Sequence, residues 1–372
     1  MQYRNYGAAG IQVSVLGFGA MRLPMDGEGH TATVREEESI AMIHRAFERG
    51  VNLIDTAWGY CAEQSQRVVG QALNGWRDRV LVSTKAPVWL IESLDDYRRY
   101  FDEQLRRLQV DAIDIYYFHG LSIDVYERKI EPLGILEEAL RAKAAGRIRH
   151  LGFSTHDTPE NICRLIDGGW AEGILCQYNL LDQSNAPVLA HAHGKGLGTA
   201  VMGPVGGGRL GVHSPKLRAL AGGKMRTTAE LALRFVLANP HVSTALSGME
   251  SLAMVEENTT TASCETALSA GERESITAAL EETRRLADLY CTGCTYCMPC
   301  PHGVNIPRNF ELLNYARVYG LEAYAREAYR GMALKPEQRA DHCGECGECE
   351  PKCPQKIPIR RQLKQVHDAL GA

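Results

Sequence analysis

The sequence predicts an α/β chain: a (β/α)8 TIM barrel over residues 1–285, then a small, mostly α-helical, cysteine-rich domain over 286–372. Three observations carry that reading. Eight short β-rich runs alternate with helical patterns along the first part. Polar residues close three successive runs. Eight of the 12 cysteines fall in two tight clusters near the C-terminus.

The strands come in order as "VSVLGFG" (13–19), "VNLIDT" (51–56), "VLVSTK" (80–85) and "AIDIYYFH" (112–119), then "IRHLGFS" (148–154), "GILCQY" (173–178), "LGTAVM" (197–202) and "VSTALS" (242–247). Each is a short apolar run rich in β-branched or aromatic residues, as strands buried on both faces require. Between them, apolar residues recur at helical spacing over 36–49, 62–73, 94–107, 132–144, 158–167, 186–193 and 227–238. A doubly wound open sheet is the alternative. It would normally carry a glycine-rich phosphate loop after its first strand, and "GFGAMRLP" (17–24) is no such fingerprint.

The bulk composition narrows the function. At 372 residues the chain has room for more than one domain. It is 45% apolar and 23% charged, with net charge −4. Such a balance gives no ground for a nucleic-acid or membrane partner. "MQYRNYGAAG" lacks the pattern of a signal peptide, and no apolar run would span a bilayer. A cytoplasmic, reducing location is expected, where clustered cysteines serve as metal ligands or redox groups rather than disulfides.

Asp55 ends the second strand run, Lys85 the third and His119 the fourth, and Tyr60 follows in the loop after the second. In a parallel barrel these side chains emerge at one mouth, where barrel active sites lie. An ammonium beside a phenol lowers its pKa, and a carboxylate keeps the ammonium charged. An imidazole can orient a carbonyl oxygen. Singly, each residue has a plain structural explanation, as a cap, a core aromatic or a solvated strand end. Their convergence at successive strand ends argues for proton-transfer chemistry.

The cysteine clusters are "CTGCTYCMPCP" (291–301) and "CGECGECEPKCP" (343–354). Zinc sites usually space their cysteines as pairs with a longer gap. Cys343, Cys346, Cys349 and Cys353 instead follow the C-x2-C-x2-C-x3-C-P spacing that wraps cubane clusters. Cys291, Cys294, Cys297 and Cys300 differ by one residue before the last ligand. Both runs continue into a short loop, Ile-Pro and an Arg-containing amphipathic stretch, in which Pro307 and Pro358 suit a helix's first turn. The module therefore resembles a duplicated, two-cluster ferredoxin unit, and residues 308–331 have helical periodicity. That resemblance implies cross-ligation: Cys291, Cys294 and Cys297 with Cys353, and Cys343, Cys346 and Cys349 with Cys300. Cys61, Cys163, Cys176 and Cys264 are scattered and read as small apolar residues.

"DTAWGY" (55–60), "STKAP" (83–87) and "YYFHG" (116–120) resemble the catalytic motifs of the aldo/keto reductase family. "GFSTHD" (152–157), "QYNLLD" (177–182), "GPVGGGRL" (203–210) and "MVEEN" (254–258) resemble its cofactor motifs, in the family's order. Joined to the cysteine runs, they match the branch with a C-terminal ferredoxin-type domain. The resemblance implies Tyr60 as general acid, Lys85 and Asp55 as its ion pair, and His119 as substrate orienter. It places Ser154 and Gln177 at the nicotinamide, Glu257 and Asn258 at the adenine, and Gly206, Gly207 and Gly208 along the pyrophosphate. The chain departs from the family at Thr155, at Met202 in place of a stacking aromatic, and at Gly248 and Met254, where basic residues usually clasp a 2′-phosphate. The cofactor is thus expected to be NADP(H) or NAD(H), alongside two [4Fe-4S] clusters.

The expected activity is reduction of a small carbonyl, or oxidation of an alcohol, by hydride transfer. Clusters carry single electrons, so joining them to hydride chemistry calls for a one- and two-electron carrier such as a flavin. No flavin motif is evident, though a flavin is not excluded. Two alternatives follow: a ferredoxin-linked reductase whose clusters feed a bound cofactor or substrate, and a redox-responsive binding module. A ferredoxin or other electron-transfer protein is the expected macromolecular partner. Trp58 and Trp89 lie near the catalytic motifs, as pocket walls or as rim packing.

Overall fold

The computed structural model describes residues 1–27, 31–222, 225–264, 268–285, 291, 297–353 and 356–371. Eight parallel strands close into a barrel in sequence order. They are β1 (Leu16–Gly19), β2 (Leu53–Asp55), β3 (Leu81–Ala86), β4 (Ile113–Phe118), β5 (Ile148–Thr155), β6 (Gly173–Gln177), β7 (Gly198–Met202) and β8 (Thr244–Gly248), with β8 pairing back onto β1. Every residue of β2 and β4 is buried, which explains why these strands read as continuous apolar runs rather than alternating ones.

The helices between strands are α1 (Glu36–Glu48), α2 (Ser65–Ala72), α3 (Leu94–Leu108), α4 (Ile135–Ala144), α5 (Pro159–Asp167), α6 (Ala186–Gly194) and α7 (Thr228–Leu237), and α8 (Leu252–Ala262) follows β8. Their starts follow from local chemistry. Ser93 accepts a hydrogen bond from the Asp96 N–H at 3.1 Å, and Thr158 caps α5 with Pro159 in the first turn. Three glutamates fill the first turn of α1, where the helix dipole favours negative charge.

An antiparallel hairpin, Tyr3–Asn5 with Gln12–Ser14, precedes the barrel. Tyr6, in its turn, is fully buried among Val13, Leu53, Ile115, Tyr117, Leu175, Ala200 and Leu246. Its hydroxyl bonds that of Tyr117 at 2.7 Å. Gly173 and Gly198 open β6 and β7, and a Cβ on either would collide with the Tyr6 ring. Tyr6 therefore plugs the N-terminal end of the barrel and leaves the C-terminal end for chemistry.

The chain forms two compact units: Met1–Gly207 with Ala232–Leu268, and Gly208–Leu231 with Ser269–Ala372. The second contains α9 (Ala270–Arg285), α10 (Ile306–Arg317), α11 (Glu322–Glu327) and α12 (Ile359–Leu370). Asn305 caps α10, with Pro307 in its first turn, while Pro358 immediately precedes α12. Helix α10 packs on α11 and α12, and Phe310, Leu313, Leu363 and Val366 on α10 and α12 are buried. The segment 208–231 belongs to this second unit. Ser214 Oγ is bonded to the Tyr319 carbonyl, Lys216 Nζ donates to the Arg317 carbonyl at 2.9 Å, and Arg209 pairs with Glu311 at 3.4 Å.

Candidate functional site

The four polar residues singled out in the sequence do converge at the C-terminal mouth of the barrel. Lys85 is 1% exposed, and its Nζ donates to Asp55 Oδ2 at 2.6 Å and to the Thr56 carbonyl at 2.8 Å. The other Asp55 oxygen accepts from Ser83 Oγ at 2.7 Å. Gln104, on α3, donates to the Lys85 carbonyl at 2.8 Å and so fixes the strand carrying the lysine. Lys85 Nζ lies 4.8 Å from the centroid of the Tyr60 ring, close enough for its charge to act on the phenol. Tyr60 stands edge-on to His119, their centroids 6.0 Å apart and planes at 88°. Cys61, Ala62 and Glu63 follow with left-handed φ of 52°, 51° and 66°. This costly run of backbone turns the chain sharply behind the phenol.

Electrostatics sets the charge state of each group. Burial works against the Lys85 ammonium, but the Asp55 carboxylate, with Tyr60, outweighs it and holds the lysine above its ordinary range. For Tyr60 the balance falls the other way from the sequence expectation. Burial raises the phenol, Lys85 lowers it, and the net shift is upward from 10.0. The ammonium thus limits a rise that burial alone would make larger. Burial, then the Lys85 charge and His156, push His119 from 6.5 down to about 3. Its imidazole is neutral at ordinary pH, and among the described residues its buried Nδ1 has no hydrogen-bond partner.

The two tryptophans separate. Trp89 is 49% exposed and packs 4.9 Å from His119, at the mouth. Trp58 is buried against Tyr100 beneath the Arg107 guanidinium, which makes it rim packing.

Around the same mouth, Ser154 Oγ accepts from the Gly120 N–H at 3.0 Å, and Gln177 ends β6 with its side chain against Gly203. Asn258 Nδ2 donates to Ser247 Oγ at 3.2 Å, and Glu257, its neighbour on α8, is half-buried. Gly206, Gly207 and Gly208 have φ of 59°, 66° and 94°, a left-handed stretch that glycine adopts without strain, and the Gly206 N–H donates to the Gly203 carbonyl at 2.8 Å. One residue escaped the sequence reading. Arg22, in the loop after β1, reaches Gly207 and Glu250, a juxtaposition across more than 180 positions that no local pattern announces.

In the second unit, Cys297, Cys300, Cys343, Cys346 and Cys349 line a single pocket, walled by Pro299, Pro301, Ile306 and Leu363. Five thiols around one apolar-walled space suit a sulfur-ligated group larger than one ion. Among the described residues, no three potential ligands converge on the spacing of a single metal ion. Cys300, from the first run, is thereby brought to the cysteines of the second. Cys291 and Cys353 lie off the pocket lining, and Cys294 lies outside the described residues.

Residues 15–281 match the model of the aldo/keto reductase family. The chain belongs to the aldo/keto reductase family. Residues 290–357 match a 4Fe-4S dicluster domain, so this family member carries an iron–sulfur module after its barrel. It is similar to the L-galactose dehydrogenase of Arabidopsis thaliana, 28% identical over 284 residues, 69% of this chain and 87% of that one. Among solved structures it resembles the holo form of the aldo-keto reductase AKR11C1 from Bacillus halodurans, with TM-score 0.63 and 29% identity over 75% of this chain and 96% of that one. An aldo/keto reductase of Klebsiella pneumoniae, solved in complex with NADP and acetate, gives TM-score 0.62 and 25% identity over 75% and 95% of the two chains. Among the described residues no helix is long and apolar enough to cross a membrane.

Proposed function

We propose that this aldo/keto reductase interconverts a carbonyl and an alcohol, with Tyr60 as the proton donor and a nicotinamide dinucleotide, NADP(H) or NAD(H), as hydride source. The observation that carries the reading is the buried Lys85–Asp55 ion pair beside Tyr60, with the neutral His119 imidazole edge-on to the same phenol ring. The cofactor supplies a hydride when bound, and the protein supplies everything else. His119 is neutral, so it can position a carbonyl oxygen without competing as an acid. Tyr60 keeps its proton at neutral pH and is the group able to give it to that oxygen. Lys85 stabilises the phenolate left behind, and Asp55 keeps the lysine charged. Ser154 and Gln177 would hold the nicotinamide end, Glu257 and Asn258 the adenine end, and Gly206, Gly207 and Gly208 the pyrophosphate.

For the dicluster domain, the proposed ligands are Cys291, Cys294 and Cys297 with Cys353, and Cys343, Cys346 and Cys349 with Cys300. Cys300 lines one pocket with Cys343, Cys346 and Cys349, which supports the second set, and Cys297 of the first set lines the same pocket. Two [4Fe-4S] clusters would carry single electrons to or from a ferredoxin-type partner.

The test is Tyr60→Phe, assayed anaerobically with a panel of small carbonyls and either cofactor. Carbonyl reduction should be lost while iron and sulfide content stay at the wild-type level. Normal turnover by this variant would remove the phenol from the mechanism.

A further inference from the structure

Gly248 and Met254 stand where a family member usually carries the basic residues that clasp the cofactor's phosphate, and neither has a charge. The fold brings a cation to that place from elsewhere. Arg22 leaves the end of β1 and runs across Gly248, where an added Cβ would lie only 3.2 Å from the arginine's Cδ. The missing side chain at Gly248 is therefore the room that the arginine stem occupies. The guanidinium then forks. One nitrogen donates to the Gly207 carbonyl at 3.1 Å and the other to Glu250 Oε1 at 3.2 Å. It thus bridges the glycine loop after β7 and the loop after β8.

We propose that Arg22 is the phosphate-binding cation of the dinucleotide site, in place of the absent basic residues at 248 and 254. The inference rests on the nicotinamide reading above and deepens it. A guanidinium has five donors in a planar fork, and the two contacts above occupy only part of it. The Arg22 and Glu250 side chains are 46% and 53% exposed, so a phosphate can approach the cation from solvent. The exposed carboxylate of Glu250 holds the arginine over the loop in the absence of a ligand, at little energetic cost to displace. A phosphate dianion, by contrast, accepts charge-assisted bonds from the fork in pairs. The ligand chemistry is a phosphate group, and a dinucleotide offers two: the pyrophosphate, common to NADH and NADPH, and the 2′-phosphate of NADPH alone.

The experiment is anaerobic calorimetric titration of the full, cluster-loaded chain with NADPH and with NADH, for wild type and Arg22→Gln, at low and high salt. The exposed position of Arg22 leaves folding intact, checked by the melting temperature. Loss of one charge-assisted contact should weaken binding roughly tenfold or more and flatten its salt dependence. Weakening of both cofactors assigns Arg22 to the pyrophosphate, and weakening of NADPH alone to the 2′-phosphate. Unchanged affinities overturn the proposal, as does a loss that keeps the wild-type salt dependence, since Arg22 would then merely prop the loop. If the wild-type chain binds neither cofactor, the nicotinamide reading itself fails and this proposal goes with it.

Discussion

Lys85 carries its ammonium into a place where 1% of the residue meets solvent, and Asp55 is what makes that tolerable. Removing one partner of such a pair strands the other charge. Lys85→Met should therefore destabilise the barrel by about 3–5 kcal/mol in urea unfolding, and Asp55→Asn added to it should recover much of the loss. The same variant tests the tug on Tyr60. In the nucleotide-free protein, an ultraviolet difference titration against Tyr60→Phe should place the phenol above 10.0, and Lys85→Met should move it higher still. His119 makes a separate prediction. Its folded value, about 3, lies below the unfolded 6.5, so the unfolded chain binds the extra proton in between. Stability contributed by the neutral imidazole is complete above pH 6.5 and is lost as pH falls towards 3. Against His119→Gln, wild type should lose up to about 1.4 kcal/mol more per pH unit in that window, measured by urea midpoints.

At the scale of elements, the hairpin and the barrel floor are one packing problem. Tyr6 fills space that Gly173 and Gly198 leave open, and its hydroxyl is satisfied by Tyr117. Tyr6→Ala should cost about 3–5 kcal/mol in unfolding free energy while leaving cofactor affinity unchanged, because the plug lies at the opposite end from the site. The strands themselves were legible because parallel barrel strands are buried on both faces, so "IDIYYF" and "LVSTKA" needed no alternation to be recognised. The plug was not. A tyrosine in a turn and two glycines more than 160 residues later carry no local signal of their contact.

For the molecule as a whole, the informative feature is that segment 208–231, which follows the glycine loop after β7, clusters with 269–372. Ser214, Lys216 and Arg209 all bond to α10 or the residues just after it. Helix α10 lies between the two cysteine runs, and small metal-held domains lose their fold with the metal. Anaerobic iron chelation should therefore open segment 208–231 to trypsin at Lys216 and Arg218, read by mass spectrometry, while the barrel strands stay protected. Protection of that segment after iron loss would show that it is held without the dicluster domain.

By itself the sequence determined the barrel, the order of its strands, the cysteine spacing and the four polar residues at the mouth. Those are properties of short stretches: runs buried on two faces, strand ends, and ligands a few residues apart. Only the tertiary structure decided that burial outweighs Lys85 at the Tyr60 phenol, that Tyr6 fills the space over Gly173 and Gly198, and that Arg22 lies over Gly248. Each of these depends on distances between residues far apart in the chain, and both desolvation and Coulomb energies are set by those distances rather than by sequence spacing.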